Sequence, residues 1–150
     1  MSKWPVLALF LAVSVGGGLL IGAFTLPGEW YEGLAKPWFN PPSWVFGPAW
    51  TFLYALIAIA GWRSWRTDPS GAPMKAWIAQ MVFNFLWSPT FFALHWMGAA
   101  LAVIGAMLLA ILAFIAFSWS KDRIAALLFL PYAAWVCFAM ALNAALLSLN

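Results

Sequence analysis

Charged side chains are scarce in this sequence: Asp, Glu, Lys and Arg make up 7% of its 150 residues, while apolar and aromatic residues make up 66%. Soluble domains carry about 25% charged residues. A domain of this length exposes much of its chain at the surface, so it cannot hide so many apolar side chains from water. The composition therefore excludes a water-soluble domain and predicts a chain that is surrounded by lipid.

Cysteine and histidine are also scarce, with one of each. The single cysteine, Cys137, cannot form a disulfide within the chain, and its apolar neighbours favour packing as a small apolar residue. The sequence has no cluster of Cys and His residues with the spacing of a metal site. We therefore expect no metal site and no obligatory cofactor.

Charged residues are missing from the interiors of the long apolar runs. This argues against an ion pump or a proton relay, since both depend on ionisable groups inside the membrane. The sequence also has no acid–base pair or activated nucleophile of the kind that ordinary catalysis requires. A binding or transport protein is favoured over an enzyme, although an enzyme is not excluded.

Five apolar runs are present, and each is long enough to cross a bilayer as a helix, for which roughly 20 residues suffice. In lipid a helix satisfies its own backbone groups. The first run is longer than the apolar core of a typical signal peptide and precedes four others, so we expect it to be retained. We predict an all-α membrane protein, a single domain at 1–150 with helices at about 5–26, 44–65, 74–94, 97–119 and 124–148. Pro89 and Pro131 lie inside two runs and should kink them.

Basic residues are distributed unevenly between the two ends of the predicted bundle. With five spans, the N-terminus and the turns at 67–73 and 120–123 share one side, which carries six of the seven Lys and Arg residues. The other side carries Lys36. By the positive-inside rule, the N-terminus is expected in the cytoplasm. The net charge of +3 comes from residues that flank the spans, so it does not indicate a nucleic-acid partner.

Tryptophan is abundant, with twelve residues. Seven of them fall near predicted helix ends, where amphipathic rings sit well at the level of the lipid headgroups. These are Trp4, Trp44, Trp62, Trp65, Trp77, Trp96 and Trp119. Trp30 and Trp38 lie in the first loop. The remaining three lie inside spans, where each indole N–H needs a partner.

Uncharged polar and aromatic residues recur at spacings of three and four in three of the predicted helices, which places them on one face of each. The stripes are Trp50 and Tyr54 in the second helix, Gln80, Asn84 and Ser88 in the third, and Tyr132, Trp135, Ala139 and Asn143 in the fifth. Such stripes should face the bundle interior, because lipid would leave the amides unpaired. They either hold the helices together or line a binding pocket, which the small Ala139 favours slightly.

The segment KPWFNPPSWVFGPAW, residues 36–50, combines rigid backbone with aromatic surface. Its four prolines fix backbone dihedral angles and remove N–H donors. A loop of this stiffness loses little conformational entropy on packing against helices. Trp30, Trp38, Phe39 and Phe46 would then form an aromatic lid over the pocket.

Three blocks of the sequence resemble the family of tryptophan-rich sensory proteins and mitochondrial translocator proteins. They are KPWFNPPSWVFGPAWTFLYALIAIAGW from residue 36, AWIAQMVFNFLWSPTFF at 76–92 and DRIAALLFLPYAAWVCFAMALN at 122–143. The resemblance covers nearly the whole chain. It implies a bundle of five helices, a homodimer and a multi-pass protein of the bacterial inner membrane.

The resemblance also implies ligands: porphyrins such as protoporphyrin IX and haem, and in relatives cholesterol and isoquinoline carboxamides. The family's site lies under the first loop, between the second and fifth helices. Carried over by position, the ligand-binding residues are Trp30, Trp38, Phe46, Trp50, Tyr54, Asn84, Tyr132, Trp135, Ala139, Leu142 and Asn143. Animal members carry a proposed cholesterol motif with Tyr and a basic residue late in the fifth helix. The corresponding stretch here, NAALLSLN, has neither.

Three classes of function follow from these observations. The leading hypothesis is a membrane receptor or carrier for tetrapyrroles. The sequence has no pair of intramembrane histidines to ligate haem iron, so we expect binding not to depend on the metal. An enzyme-class alternative is light-dependent porphyrin degradation, in which indoles beside a photosensitising porphyrin are oxidised. The third alternative is a structural membrane subunit without a ligand.

Overall fold

The computed structural model describes residues 3–150, and within that range every regular element is helical. The prediction of an all-α fold is confirmed for this part of the chain. Five long helical segments follow one another. They are helix 1 at Lys3–Phe24, helix 2 at Ser43–Thr67, helix 3 at Ala72–Ser88 with a π-helical continuation at Pro89–Ala93, helix 4 at Met97–Ser118 and helix 5 at Arg123–Leu149. A short loop helix, Glu29–Glu32, lies between helices 1 and 2.

Four of these segments, helices 1, 2, 4 and 5, are long and apolar enough to cross a membrane. The α-helical part of helix 3 has 17 residues before it becomes π-helical at Pro89. Four apolar helices of this length cannot be accommodated by a soluble fold of 150 residues, and the chain is an integral membrane protein.

The two prolines that were expected to kink helices, Pro89 and Pro131, each coincide with a local irregularity. In the π-helical turn that starts at Pro89, the Leu94 amide donates to the Pro89 carbonyl at 3.0 Å. In helix 5, the regular pattern is interrupted at Phe129, two residues before Pro131. A proline ring cannot fit against the preceding turn of an undistorted helix, and a π-bulge or a short break relieves that clash.

Every helix packs against at least two others, and helices 2 and 3 also contact each other directly. Helix 1 packs against helices 2 and 3, helix 3 against helix 4, helix 4 against helix 5, and the first turns of helix 5 against helix 2. Two glycines of helix 1 permit its close approach. A Cβ atom on Gly17 would lie 2.7 Å from the ring of Phe85, and one on Gly18 would overlap the ring of Tyr54.

Two tryptophans that we assigned to the membrane interface are buried in the bundle. Trp77 is 5% exposed and Trp62 is 8% exposed. The Trp77 indole N–H donates to the carbonyl of Ile57 at 2.9 Å. Gly61 makes this possible, because a Cβ atom there would lie 2.5 Å from the Trp77 ring. The expectation that these two rings face the lipid headgroups was wrong, since position near a helix end does not reveal which face the ring takes.

An ion pair joins helix 2 to helix 5 at the end of the bundle that carries most of the basic residues. The Arg63 guanidinium donates to both carboxylate oxygens of Asp122, at 2.8 and 3.1 Å. Asp122 also accepts from the Ala125 amide at 3.4 Å and so caps the start of helix 5. Partial burial acts to raise the pKa of Asp122, but the hydrogen bonds and charge of Arg63 outweigh it and hold the pKa below its usual value.

Candidate functional site

An aromatic cluster joins the start of helix 2 to the middle of helix 5. The ring of Trp135 meets the rings of Phe46 and Trp50 edge to face, with centroids 6.0 and 6.4 Å apart. Trp50 also contacts Tyr54 at 5.5 Å and Tyr132 at 6.3 Å. Edge-to-face contacts of this length are favourable. The side chains that were expected to wall a cavity therefore pack directly against one another in this structure.

The Trp135 indole nitrogen is buried without a hydrogen-bond partner. An unpaired N–H in an apolar environment is costly, because the bond that it would make to water is lost and not replaced. The surrounding groups are aromatic rings, which accept hydrogen bonds only weakly. An oxygen atom of a ligand that entered between these rings would supply the missing acceptor.

A chain of hydrogen bonds starts at Tyr54 of the cluster, runs through Asn84 and Tyr132 to Gln80, and connects three helices. The Tyr54 hydroxyl donates to Asn84 Oδ1 at 2.7 Å, and Asn84 Nδ2 donates to the Tyr132 hydroxyl at 2.7 Å. The Tyr132 hydroxyl donates in turn to Gln80 Oε1 at 2.7 Å. The chain fastens helix 2 and helix 5 to helix 3. These four members of the stripes therefore hold helices together.

Asn143 also uses its polar atoms within the protein. Its Oδ1 accepts from the Trp87 indole at 3.0 Å, and its Nδ2 donates to the Met97 carbonyl at 3.0 Å. This amide therefore ties helix 5 to helices 3 and 4. It is buried and engaged, and so is Asn84. The sequence correctly placed both amides in the interior, and the structure shows both of them engaged in bonds between helices.

Trp38 and Trp30, the two loop tryptophans, do not reach the aromatic cluster in this structure. Trp38 is 94% exposed and contacts the ring of Phe39, because a turn closed by the Asn40 amide and the Pro37 carbonyl carries it outward. Trp30 belongs to the loop helix and packs against the end of helix 3. Its ring stacks there on His95, with centroids 4.0 Å apart and planes at 7°.

Two phenylalanines provide a contact between the loop and the middle of helix 5. The ring of Phe39 meets Phe138 at 6.2 Å, and Phe138 meets Trp135 at 5.6 Å. Phe138 was not among the predicted site residues, although it lies three residues after Trp135 and hence on a neighbouring part of the same helical face. Ala139 and Leu142 are buried further along helix 5.

The loop is fastened at two further points. Asn150 pairs with the backbone of Ala35, accepting from its amide at 3.0 Å and donating to its carbonyl at 2.9 Å. The Lys36 ammonium donates to the carbonyls of Tyr31, Glu32 and Leu34 at 2.9–3.2 Å. The Asn150 bonds hold the loop against the end of helix 5, and the Lys36 bonds brace residues 31–36 internally, next to the proline-rich segment.

The described residues offer no ready site for a metal ion. Among residues 3–150, no three His, Cys, Asp or Glu side chains come close enough together to hold one. His95, at the end of helix 3, has a left-handed backbone with φ of 61°.

Comparison with known proteins identifies the family. The profile of the TspO/MBR family matches residues 9–149. The chain belongs to the TspO/MBR family. It is 41% identical over 147 residues to the tryptophan-rich sensory protein of Cereibacter sphaeroides, covering 98% of this chain and 92% of that protein. It is 33% identical over 151 residues to the human translocator protein, covering 93% and 86%.

An archaeal member is similarly close. The tryptophan-rich protein TspO of Archaeoglobus fulgidus is 43% identical over 123 residues, which is 81% of this chain and 80% of that protein. The family resemblance that the three sequence blocks carried is thus confirmed. Membership agrees with an integral membrane protein rich in tryptophan.

Proposed function

We propose that this protein is a membrane receptor or carrier that binds tetrapyrroles such as protoporphyrin IX and haem between helices 2 and 5. The observation that carries the proposal is the buried, unpaired indole N–H of Trp135 within the rings of Phe46 and Trp50. A flat aromatic macrocycle stacks on indole and phenol rings, and one of its polar substituents accepts from the indole. The ligand enters by separating rings that contact one another in the free protein.

The proposal includes the roles of the other site residues. Tyr54, Asn84 and Tyr132 fix the positions of the walls through their hydrogen bonds. Ala139 and Leu142 border the ligand volume with apolar surface. Closure of the first loop brings Trp38 towards the bound ligand, and residues 31–36 provide the fastened base from which the loop moves.

We also propose five transmembrane helices, with helix 3 spanning the bilayer through its α- and π-helical parts together at 72–93. The membrane is the bacterial inner membrane, and the protein is a homodimer.

Helix 4 offers an outward-facing surface of small residues for a second copy, since Gly98 and Ala102 are exposed. Small residues permit close helix contact in lipid.

Binding is tested by titrating the purified protein with protoporphyrin IX in the dark while its tryptophan fluorescence is recorded. We expect saturable quenching, because several indoles lie within the proposed site. Light provides the second part of the test. Loss of porphyrin absorbance under illumination would support the alternative of photo-oxidative degradation by the indoles. Absence of quenching in the dark would contradict the proposal and favour a structural subunit.

Orientation is tested with reporter fusions at two loops. The uneven distribution of Lys and Arg predicts that the loop at 67–73 is cytoplasmic. A reporter that is active only outside the cytoplasm should therefore be inactive at Gly71. The same reporter at Gly33, in the first loop, should be active. The reverse pattern would contradict the proposed topology.

A further inference from the structure

Two cations and two indoles form a row where the start of helix 1 meets the end of helix 2. The Lys3 ammonium lies 4.9 Å from the ring centroid of Trp4, and Trp4 stacks on Trp62 with centroids 6.0 Å apart and planes at 21°. The Arg66 guanidinium lies 4.9 Å from the centroid of Trp62. The Trp62 indole N–H donates to the Lys3 carbonyl at 3.1 Å, which fixes one helix end against the other. We call these four residues the cation–indole row.

No carboxylate neutralises either cation of the row within the described residues. The ion pair observed between residues 3 and 150 joins Arg63 to Asp122, on the helix 5 side of the same end. Asp68, the acidic residue that follows Arg66, accepts from the amide of Ser70 at 3.3 Å. Lys3 and Arg66 are both exposed. The row therefore presents two uncompensated positive charges to its surroundings.

Two other basic residues at this end, Arg63 and Arg123, are arranged differently. Arg63 is neutralised by Asp122. Arg123 lies 4.7 Å from the Trp119 ring as a single cation. Among the described cation–ring contacts at this end, the row alone brings two cations onto adjoining rings.

The surroundings of the row determine which anion it fits. Trp4 is 59% exposed and lies at the end of a membrane helix, where indole rings sit among lipid headgroups. Phosphate groups of phospholipids occupy the same depth, next to glycerol and acyl chains that contact an exposed indole. A soluble anion would meet the charges but gain nothing from the apolar face of Trp4. Charge and apolar surface together favour a lipid.

We propose that the cation–indole row binds the headgroup of an anionic phospholipid from the adjacent leaflet. The Lys3 ammonium and the Arg66 guanidinium contact phosphate oxygens, while the exposed face of Trp4 lies against the glycerol and upper acyl region. This site is distinct from the aromatic cluster and does not depend on the tetrapyrrole proposal.

Native mass spectrometry of the detergent-solubilised protein tests this site, with phosphatidylglycerol as the probe and phosphatidylcholine as the comparison lipid. We expect phosphatidylglycerol to bind more tightly. Each basic residue near a lipid surface contributes to the binding of anionic lipids. The double variant Lys3→Gln with Arg66→Gln removes both charges of the row and should weaken the tightest binding of phosphatidylglycerol about 30-fold. Lys3→Arg with Arg66→Lys should keep it, because both charges remain.

The matched control is Lys121→Gln with Arg123→Gln, which removes two positive charges from the same end of the protein. It should change the affinity by less than about threefold, since those residues lie outside the row. Equal losses in the two charge-removing variants would show a diffuse electrostatic effect and overturn the site. Equal binding of the two lipids, or displacement of the lipid by millimolar inorganic phosphate, would overturn it as well. Helical circular dichroism confirms that each variant is folded.

Discussion

Replacing Gly18 with leucine is expected to lower the melting temperature of the protein in mild detergent by roughly 4–16 °C. Any Cβ atom at this position overlaps the ring of Tyr54. That ring cannot simply move aside, because its hydroxyl donates to Asn84 at 2.7 Å and its face contacts Trp50. Overpacking costs about 1–3 kcal/mol and the loss of the hydrogen bond about 1 kcal/mol more.

Gly22→Leu provides the control on the same helix. Beyond its chain neighbours and the backbone of its own helix, a Cβ atom at Gly22 meets no atom within 4 Å, and leucine is the better helix former. Its melting temperature should therefore remain unchanged or rise slightly. Gly18 and Gly22 lie four residues apart on helix 1, a spacing that also permits close contact between helices in lipid, and this pair of variants separates the two roles. A larger loss at Gly22 than at Gly18 would show that the motif mainly serves contact between two copies of the chain.

Replacing Ala139 with threonine is expected to weaken porphyrin binding roughly 5–150-fold. Ala139 is buried on helix 5, one helical turn beyond Trp135. Threonine adds a methyl group and a hydroxyl at a wall that we propose borders the ligand. If the wall does not yield, the cost of overpacking is about 1–3 kcal/mol, and that cost is taken from the binding energy.

The control for this prediction is Ala134→Thr, the same substitution at an exposed position of the same helix. It should leave porphyrin affinity within about twofold, since its side chain points away from the bundle. Melting temperatures of both variants distinguish weakened binding from unfolding. Unchanged affinity in a folded Ala139→Thr protein for every ligand tested would place the site elsewhere.

Spacing along single helices predicted the interior polar contacts well. Trp50 and Tyr54 lie four residues apart, and so do Gln80 and Asn84, so each pair had to share a face of its helix. Lipid offers no hydrogen bonds, and the amides therefore had to find partners on neighbouring helices. The chain from Tyr54 through Asn84 and Tyr132 to Gln80 is the observed result.

Features that depend on contacts between distant parts of the chain could not be predicted in the same way. The burial of Trp77 depends on Gly61, sixteen residues earlier, which leaves room for its ring. The pairing of Asn150 with Ala35 joins residues separated by most of the sequence. No periodicity links such positions, because periodicity reports only which residues share a face of one element.

The loop shows where a residue pattern gave the chemistry but not the geometry. The prolines at 37, 41 and 42 indicated a stiff aromatic segment, and Phe39 does reach helix 5 at Phe138. Stiffness does not determine direction, however. The turn at 37–40 carries Trp38 outward, so its predicted place over the site requires a movement of the loop.

Dark titrations of protoporphyrin IX with Trp135→Phe and Trp119→Phe test the central proposal most directly. Trp135→Phe keeps an aromatic ring between Phe46 and Trp50 but removes the unpaired N–H. In our proposal, this N–H donates a hydrogen bond to an oxygen atom of the ligand. Loss of one such hydrogen bond corresponds to about a tenfold weaker affinity. Trp119, which is exposed near the end of helix 4, should tolerate the change without effect. A tenfold loss confined to Trp135→Phe is the predicted result, and equal affinities in the two variants would contradict the proposed site.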